Sequence, residues 1–275
     1  MSTFSLEIDA AAFRDLQAEY LAQLVAPMDD MWAAFADQAT PYALRWNGEL
    51  AGCCAVDDEG RLLRFYVKPR FQLRSQELMR RVIDAAGVKQ LMVFTLDPSC
   101  LSTALDLVSA SESPTVESHS LLFALLSEPE GPGLEPVRMG ELHDHERLIA
   151  FEQAAMGAPR EFLEPYLRER LERQELLMFE EGDRLLCVGE LRRDARQAGV
   201  AQLGMVVHRD ARRQGLATRM LTRLVNQSRE AELVPCCSTE VSNVGARRAI
   251  ERSGFRARHR LLRISGLSGE SQFAS

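Results

Sequence analysis

Lysine is nearly absent from this sequence: Lys68 and Lys89 are the only two, and almost all positive charge is arginine. Cysteine is present, but in no pattern that suggests a crosslink or a metal. The six are Cys53, Cys54, Cys100, Cys187, Cys236 and Cys237. Two adjacent pairs and no C-x-x-C argue against a disulfide framework and against zinc, so no metal is expected. Reduced, buried thiols in a cytoplasmic protein are the expectation. Long apolar runs are missing too, and none approaches the roughly 18 residues of a membrane span. The opening MSTFSLEIDAAAF has no basic stretch before an apolar one, so neither a secretory signal nor a membrane partner is expected. The net charge of −7 over 275 residues leaves no general basic surface, which excludes a broad nucleic-acid binder.

The charge that is present is unevenly distributed. Residues 1–133 hold 10 basic and 19 acidic side chains, and residues 134–275 hold 23 and 21. The change coincides with Ser127-Glu128-Pro129-Glu130-Gly131-Pro132-Gly133, a run that no helix or central strand can cross. Domains are therefore expected at 1–128 and 134–275, joined by a linker at 129–133.

The second half alternates strand and helix patterns. Glu135–Met139 reads as a short strand, and His143–Ala155 and Glu161–Gln174 as helices. Leu176–Phe179, Leu185–Leu191 and Val200–Val207 read as strands. Leu216, Ala217, Met220, Leu221, Leu224 and Val225 mark one face of an amphipathic helix. Leu233–Thr239 is a strand, Val244–Arg252 a helix ending at Gly254, and Phe255–Ile264 a last strand. The first half repeats part of this plan. A hairpin signal, Asn47-Gly48, precedes a strand at Leu62–Val67. Leu78, Met79, Val82 and Ile83 then copy the spacing after Gly215. Strand Gln90–Leu96, helix Leu101–Val108 and strand Ser120–Leu126 follow. We read this as a diverged internal repeat.

The segment from Met205 to Thr218 carries the chemistry. A strand runs into an arginine-rich loop, and the loop into a helix start, where unpaired N–H groups and a partial positive charge suit a pyrophosphate. Gly215 allows close backbone approach. Arg212-Arg213-Gln214-Gly215-Leu216-Ala217 resembles the acyl-CoA motif of the GCN5-related N-acetyltransferase (GNAT) family, (Gln/Arg)-x-x-Gly-x-(Gly/Ala). Asn243-Val244-Gly245-Ala246 leading to Ser253-Gly254-Phe255 resembles the family's second signature. Together they cover residues 134–265.

The resemblance implies an α+β fold of two tandem GNAT-like domains. Each would be a mostly antiparallel twisted sheet flanked by helices, and the first a degenerate copy. That copy has no glycine between Gly60 and Gly87, so it lacks the same phosphate loop and is expected to bind no CoA. Phe71 and Leu73 are expected to pack where that loop would open. The resemblance also implies acetyl-CoA as co-substrate, held by Met205, Val206, Val207, Arg212, Arg213, Gln214, Gly215, Leu216, Ala217, Thr218 and Asn243. The N–H of Val207 would meet the thioester oxygen. The acceptor would be a primary amine of a small molecule or peptide, attacking directly once a base has taken its proton. Glu190 and Glu240 are the base candidates. The family's usual acid, a tyrosine, falls on Ile250, which has no proton to give, and Ser253 beside it is a weak acid. Transfer of a longer acyl group, a non-catalytic CoA-binding or scaffolding role, and a homodimer remain open at this point.

Other residues are read more plainly. Cys236 and Cys237 are expected in a core strand rather than as nucleophiles. His143 and His145, two apart on a helix, point away from each other. His208 is expected at a loop surface, and Trp32, Trp46 and Phe35 in packing.

Overall fold

The computed structural model describes residues 3–267, and within them the chain forms two compact units. The first opens with β1 (Phe4–Ile8), α1 (Ala10–Asp15), α2 (Gln17–Ala22) and α3 (Asp30–Gln38), none of which the sequence patterns announced. The side chains of Asp9 and Asp29 accept from Ala12 N–H and Met31 N–H, which starts α1 and α3. β2 (Thr40–Trp46) and β3 (Glu49–Val56) form the hairpin, with left-handed Asn47 and Gly48 between them. β4 (Arg61–Val67), α4 (Ser75–Ala86), β5 (Gln90–Phe94), α5 (Pro98–Ser109) and β6 (Thr115–Leu125) complete this half. Its core joins Leu44, Trp46, Phe65, Leu78, Met79 and Leu91. Trp32 is half-buried and stands edge-on to Phe35, Phe94 and His119.

The second unit contains β7 (Arg138–Met139), α6 (His145–Met156), α7 (Arg160–Glu172), β8 (Leu176–Glu181), β9 (Arg184–Arg193) and β10 (Val200–Val207). α8 (Leu216–Glu230), β11 (Val234–Glu240), α9 (Val244–Arg252) and β12 (Phe255–Ser265) follow. α8 buries Met220, Leu221, Leu224 and Val225 completely, as its apolar spacing requires. The glycine of the second signature has a packing reason. Gly254 is left-handed, and a Cβ there would lie 2.2 Å from the Ser127 carbonyl oxygen.

Strand order in the first unit is β1-β2-β3-β4-β5-β12-β6, and in the second β6-β11-β10-β9-β8-β7. Pairing is antiparallel in β1–β2, β2–β3, β3–β4, β5–β12, β7–β8, β8–β9 and β9–β10, and parallel in β4–β5 and β10–β11. Two strands are divided between the units, so the boundaries differ from the expected 1–128 and 134–275. The first unit ends at Leu121 and takes the chain back from His259; the second is Leu122–Arg258. The reason is backbone pairing: the end of β12 is laddered to β5, from Leu261↔Phe94 to Ser265↔Gln90. Residues 268–275 of the expected second domain lie outside the described residues. Among the described residues no helix is long and apolar enough to cross a membrane.

Candidate active site

In the second unit, β10 is where the sheet comes apart. It pairs with β9 from Ala201↔Arg193 to Val207↔Cys187. Its pairing with β11 covers only Val200↔Val234, Ala201↔Pro235 and Gln202↔Cys236. An antiparallel ladder alternates the direction of its backbone groups. His208 N–H donates to the Leu186 carbonyl at 2.9 Å, so the even-numbered residues spend their groups on β9. Met205 and Val207 therefore turn theirs into the gap. Val206 does not join them. It stands in the β9 ladder opposite Val188, and its side chain packs on the core that includes Leu148 and Leu163.

The loop after β10 is built to end in an open helix start. Arg213 has φ 64° and Gly215 φ 81°, both left-handed. A Cβ at Gly215 would meet nothing within 4 Å, so the backbone conformation and the open space beside it, rather than crowding, account for glycine. α8 begins at the next residue with no side-chain cap and no acid in its first turn. The N–H groups of Leu216, Ala217 and Thr218 precede the first helical bond, from Arg219 N–H to the Gly215 carbonyl. The side chain of Leu216 lies in the core, so its contribution is backbone alone. Arg213 is exposed, whereas Arg212 braces the loop: its guanidinium donates to the Ala155 carbonyl at 2.8 Å and the Val207 carbonyl at 3.3 Å. Gln214 donates to the Asp210 carbonyl at 3.4 Å. Asn243 caps α9 by accepting from Ala246 N–H at 3.1 Å, which commits its side chain locally.

The two base candidates separate clearly. Glu240 is exposed at the end of β11 and accepts from the Ser242 hydroxyl. Glu190 lies half-buried in β9 opposite Gly204, at the point where the gap begins. A Cβ on Gly204 would sit 3.1 Å from its Oε2, so the missing side chain leaves room beside the carboxylate. The Tyr166 hydroxyl donates to Glu190 Oε1, and Arg192 lies 2.8 Å from Oε2 and donates to the Tyr166 hydroxyl at 3.0 Å. Phe162, partly exposed, stacks on the Tyr166 ring. Burial and the nearby Glu190 charge raise the Tyr166 pKa, so this phenol keeps its proton.

A buried carboxyl on α6 was not anticipated. Glu152 on α6 is 5 % exposed. Burial, with the Glu190 charge, pushes it up to about 8. The sequence held a signal for it: Leu148, Ile149, Glu152 and Ala155 share one helix face and are all buried, so a glutamate interrupts an apolar stripe. Ile250, in the family's tyrosine position, is 2 % exposed on the inner face of α9, and Ser253 beside it spends its hydroxyl on backbone carbonyls. His145 is buried and donates to the Glu164 carbonyl, while His143 is exposed. His208 accepts from Asp210 N–H at the start of the loop.

Comparison with known proteins gives matches over both halves of the chain. A profile described as "Acetyltransferase (GNAT) domain" matches residues 10–124, and one described as "Acetyltransferase (GNAT) family" matches residues 139–255. A solved structure of a GNAT-family acetyltransferase from Colwellia psychrerythraea is 30% identical, with a TM-score of 0.88 over 96% of this chain and 99% of that one. A GCN5-related N-acetyltransferase from Sphaerobacter thermophilus shares the fold at 16% identity and TM-score 0.64, over 99% of this chain and 98% of that one. So does a tandem GNAT protein of the clavulanic acid biosynthesis pathway, at 13% and 0.66, over 98% and 100%. A search of curated proteins finds no match.

Proposed function

The chain belongs to the GNAT acetyltransferase family, and from that premise we propose that its second unit moves an acetyl group from acetyl-CoA to a primary amine of a small molecule or peptide. The observation that carries this reading is the gap between β10 and β11 beyond Gln202 and Cys236, which leads to an uncapped helix start at left-handed Gly215.

The residues present fit the co-substrate. Backbone groups of Met205 and Val207 suit its amide-bearing arm. The N–H groups of Leu216, Ala217 and Thr218 suit its pyrophosphate, with exposed Arg213 adding charge. Bound there, acetyl-CoA supplies an activated acetyl thioester. Val207 N–H, facing the gap, would donate to the oxygen that gains charge as the amine attacks. Glu190 would meet the acceptor nitrogen, held in place by Tyr166 and Arg192. No enzyme nucleophile is required. Burial pushes the Cys187 thiol up to about 12, which keeps it from being a thiolate. With Ile250 in the tyrosine position, the departing thiolate takes its proton from solvent, since its ordinary pKa is near ~8.5.

The test is turnover of acetyl-CoA against a panel of primary amines, read as free thiol. Thiol release that depends on amine supports the reading. Tight acetyl-CoA binding with no amine-dependent thiol would make the chain a CoA-binding protein without transferase activity.

A further inference from the structure

The first unit buries a guanidinium and leaves most of its donors unused. Arg64 stands in β4, just past the last β4–β5 pair at Leu62↔Leu91, and its side chain is 1% exposed. Its charge lies over the rings of Phe13 on α1 and Tyr20 on α2, at 4.6 and 5.0 Å. A ring face attracts a cation but offers its N–H groups no lone pair. Among the described residues Asp37 on α3 is the one acid within ion-pair distance, and its 3.5 Å contact with Nη2 is long for a hydrogen bond. Nε and Nη1 have no partner. Two neighbouring acids are committed elsewhere. Glu19 accepts from the Tyr66 hydroxyl at 3.0 Å and lies 3.7 Å from Lys68, and Asp97 accepts from Cys100 N–H and Gln23. α3 frames the place. Asp37 reaches Arg64 on β4, while Trp32 stands 6.4 Å from the Phe94 ring on β5, so the helix spans the opening between the two strands. Its buried side chains there are small, Ala33 and Ala36. The Asp37 side chain is 32% exposed, which leaves the guanidinium one carboxylate away from solvent. A residue needed only for packing here would be apolar, since replacing a buried ion by an apolar side chain is often neutral or stabilising. A guanidinium kept among rings with unmade donors suits a ligand that supplies the acceptors.

We propose that the first unit binds a small monocarboxylate at Arg64, beneath α3, its two oxygens taking donors that the chain leaves unmade and its apolar body lying against Phe13, Tyr20 and the α3 alanines. The planar fork of a guanidinium matches the two oxygens of a carboxylate. One negative charge is the right number. It neutralises one buried guanidinium, whereas the second charge of a phosphate would be buried without a cation. Asp37 competes for the same group, and its long contact is the one the ligand displaces. No bond is made or broken, so the site is a binding site and not a reaction centre. It uses no residue of the Gly215 loop, and it stands whether or not the second unit transfers acetyl groups.

The experiment uses the full chain near neutral pH, with sodium propionate and inorganic phosphate as probes and sodium chloride of equal ionic strength as the reference. Thermal melts are compared for the native chain, Arg64→Met, Arg64→Lys and Asp37→Asn. Propionate should raise the native midpoint above that in chloride. Arg64→Met should lose this response, its propionate affinity falling at least about 20-fold, as when one partner of a buried charge pair is removed. Arg64→Lys keeps the charge but not the fork and should lose most of the response. Asp37→Asn removes the competitor and should bind propionate more tightly than the native chain. Acetyl-CoA affinity should stay native in Arg64→Met, which shows that the chain is folded. Any response to phosphate should be the same in the native chain and in Arg64→Met. In 15N spectra one arginine Nε–H signal, identified by its absence from Arg64→Lys, should shift as propionate is added. A native chain that does not respond to propionate, a response equal in Arg64→Met, or an Nε–H signal that stays in place overturns the site. A phosphate response that exceeds that of propionate and disappears with Arg64 overturns the monocarboxylate class, and a full response in Arg64→Lys overturns recognition by the fork.

Discussion

β4 leaves its parallel neighbour after Leu62↔Leu91, and β10 leaves its own after Gln202↔Cys236. The break in the ladder is common to both units; its surroundings differ. Counting back from the valines that end each strand, Val67 and Val207, Arg64 occupies the place of Gly204. Ala55 faces Arg64, where Glu190 faces Gly204. The valine carbonyl accepts from a loop side chain in both, Gln72 at 2.7 Å and Arg212 at 3.3 Å. Beyond that point the loops diverge. Residues 69–74 form a 3-10 turn with no left-handed residue, and Glu77 sits in the first turn of α4, paired with Arg74. An acid at a helix start opposes an anion where the acid-free start of α8 invites one. A split sheet therefore does not by itself make a CoA site. On the proposed reading, the left-handed turn and the bare helix start are what equip the second unit, and not the first, to bind acetyl-CoA.

The strongest way to break this comparison is to count sites and then destroy one. Calorimetric titration with acetyl-CoA should saturate near about one equivalent per chain; two equivalents of similar affinity would erase the distinction. Gly215→Val should weaken that binding on the order of 100-fold, or about 2.7 kcal/mol. The left-handed backbone costs a side-chain residue about 1–2 kcal/mol, and a branched side chain would fill the open volume beside Gly215. Unchanged affinity in a folded variant would remove the pyrophosphate site from this loop.

A smaller effect sharpens the contrast in buried acids. Folded Glu152 keeps its proton up to about 8, against an ordinary value of 4.5. Between those values the folded state binds more protons than the unfolded one, so stability falls as pH rises. Glu152→Gln cannot ionise. Relative to the native chain it should gain stability from about pH 4.5 to 8 and level off above, by about 2 kcal/mol in denaturant melts at pH 9. In the first unit the nearest counterpart is Asp97, which burial raises to about 6 while Cys100 N–H and Gln23 hold it. Asp97→Asn should show a narrower window, closed by about pH 6. A Glu152→Gln gain that is independent of pH would mean the carboxyl is not held neutral.

Much of this was readable before any coordinates, and the physical reasons for the exceptions are specific. Strand Val200–Val207 and helix Val244–Arg252 were readable to the residue, because apolar runs met a glycine, an arginine-rich loop or an asparagine cap at each end. The loop at Gly215 was readable because a left-handed turn before a helix demands particular residues. The destination of β12 was not: its alternation fits any sheet edge, and only pairing with β5 assigns it. The helices α1 and α2 are six residues each, too short to show a period. Glu240 and Glu190 were indistinguishable in sequence, since register rather than composition placed Glu190 opposite Gly204. Glu152 was overlooked although its stripe could have exposed it.

The first unit's odd charge offers the next test, with an expected effect of about 1 kcal/mol. Arg64 is 2 % exposed and lies over the rings of Phe13 and Tyr20, at 4.6 and 5.0 Å. Asp37 is 3.5 Å away, and the Nε and Nη1 of Arg64 have no hydrogen-bond partner. Buried donors left unmade are costly. Arg64→Met keeps the stem against both rings and removes those donors, and should raise stability by about 1 kcal/mol. A loss of several kcal/mol would show that the guanidinium is needed where Gly204 needs nothing.

The smallest expected effect lies in the loop that replaces the phosphate site. Phe71 and Leu73 were both expected to pack into that volume, and the structure separates them. Phe71 rests against the first unit's core, whereas Leu73 is 103% exposed. Exposed apolar residues contribute little to stability, and changes there are usually within about 0.5 kcal/mol. Phe71→Ala should cost about 0.5–1 kcal/mol, because a partly buried ring gives up only part of its apolar area. Leu73→Ser should leave the melting midpoint unchanged. Neither should alter acetyl-CoA affinity, since the loop proposed to bind it is the one at Gly215. The measurement is a pair of thermal melts with a titration on each variant. A drop in acetyl-CoA affinity from Phe71→Ala would mean that the first unit's loop shares in binding, and would collapse the difference between the two units at its most degenerate point.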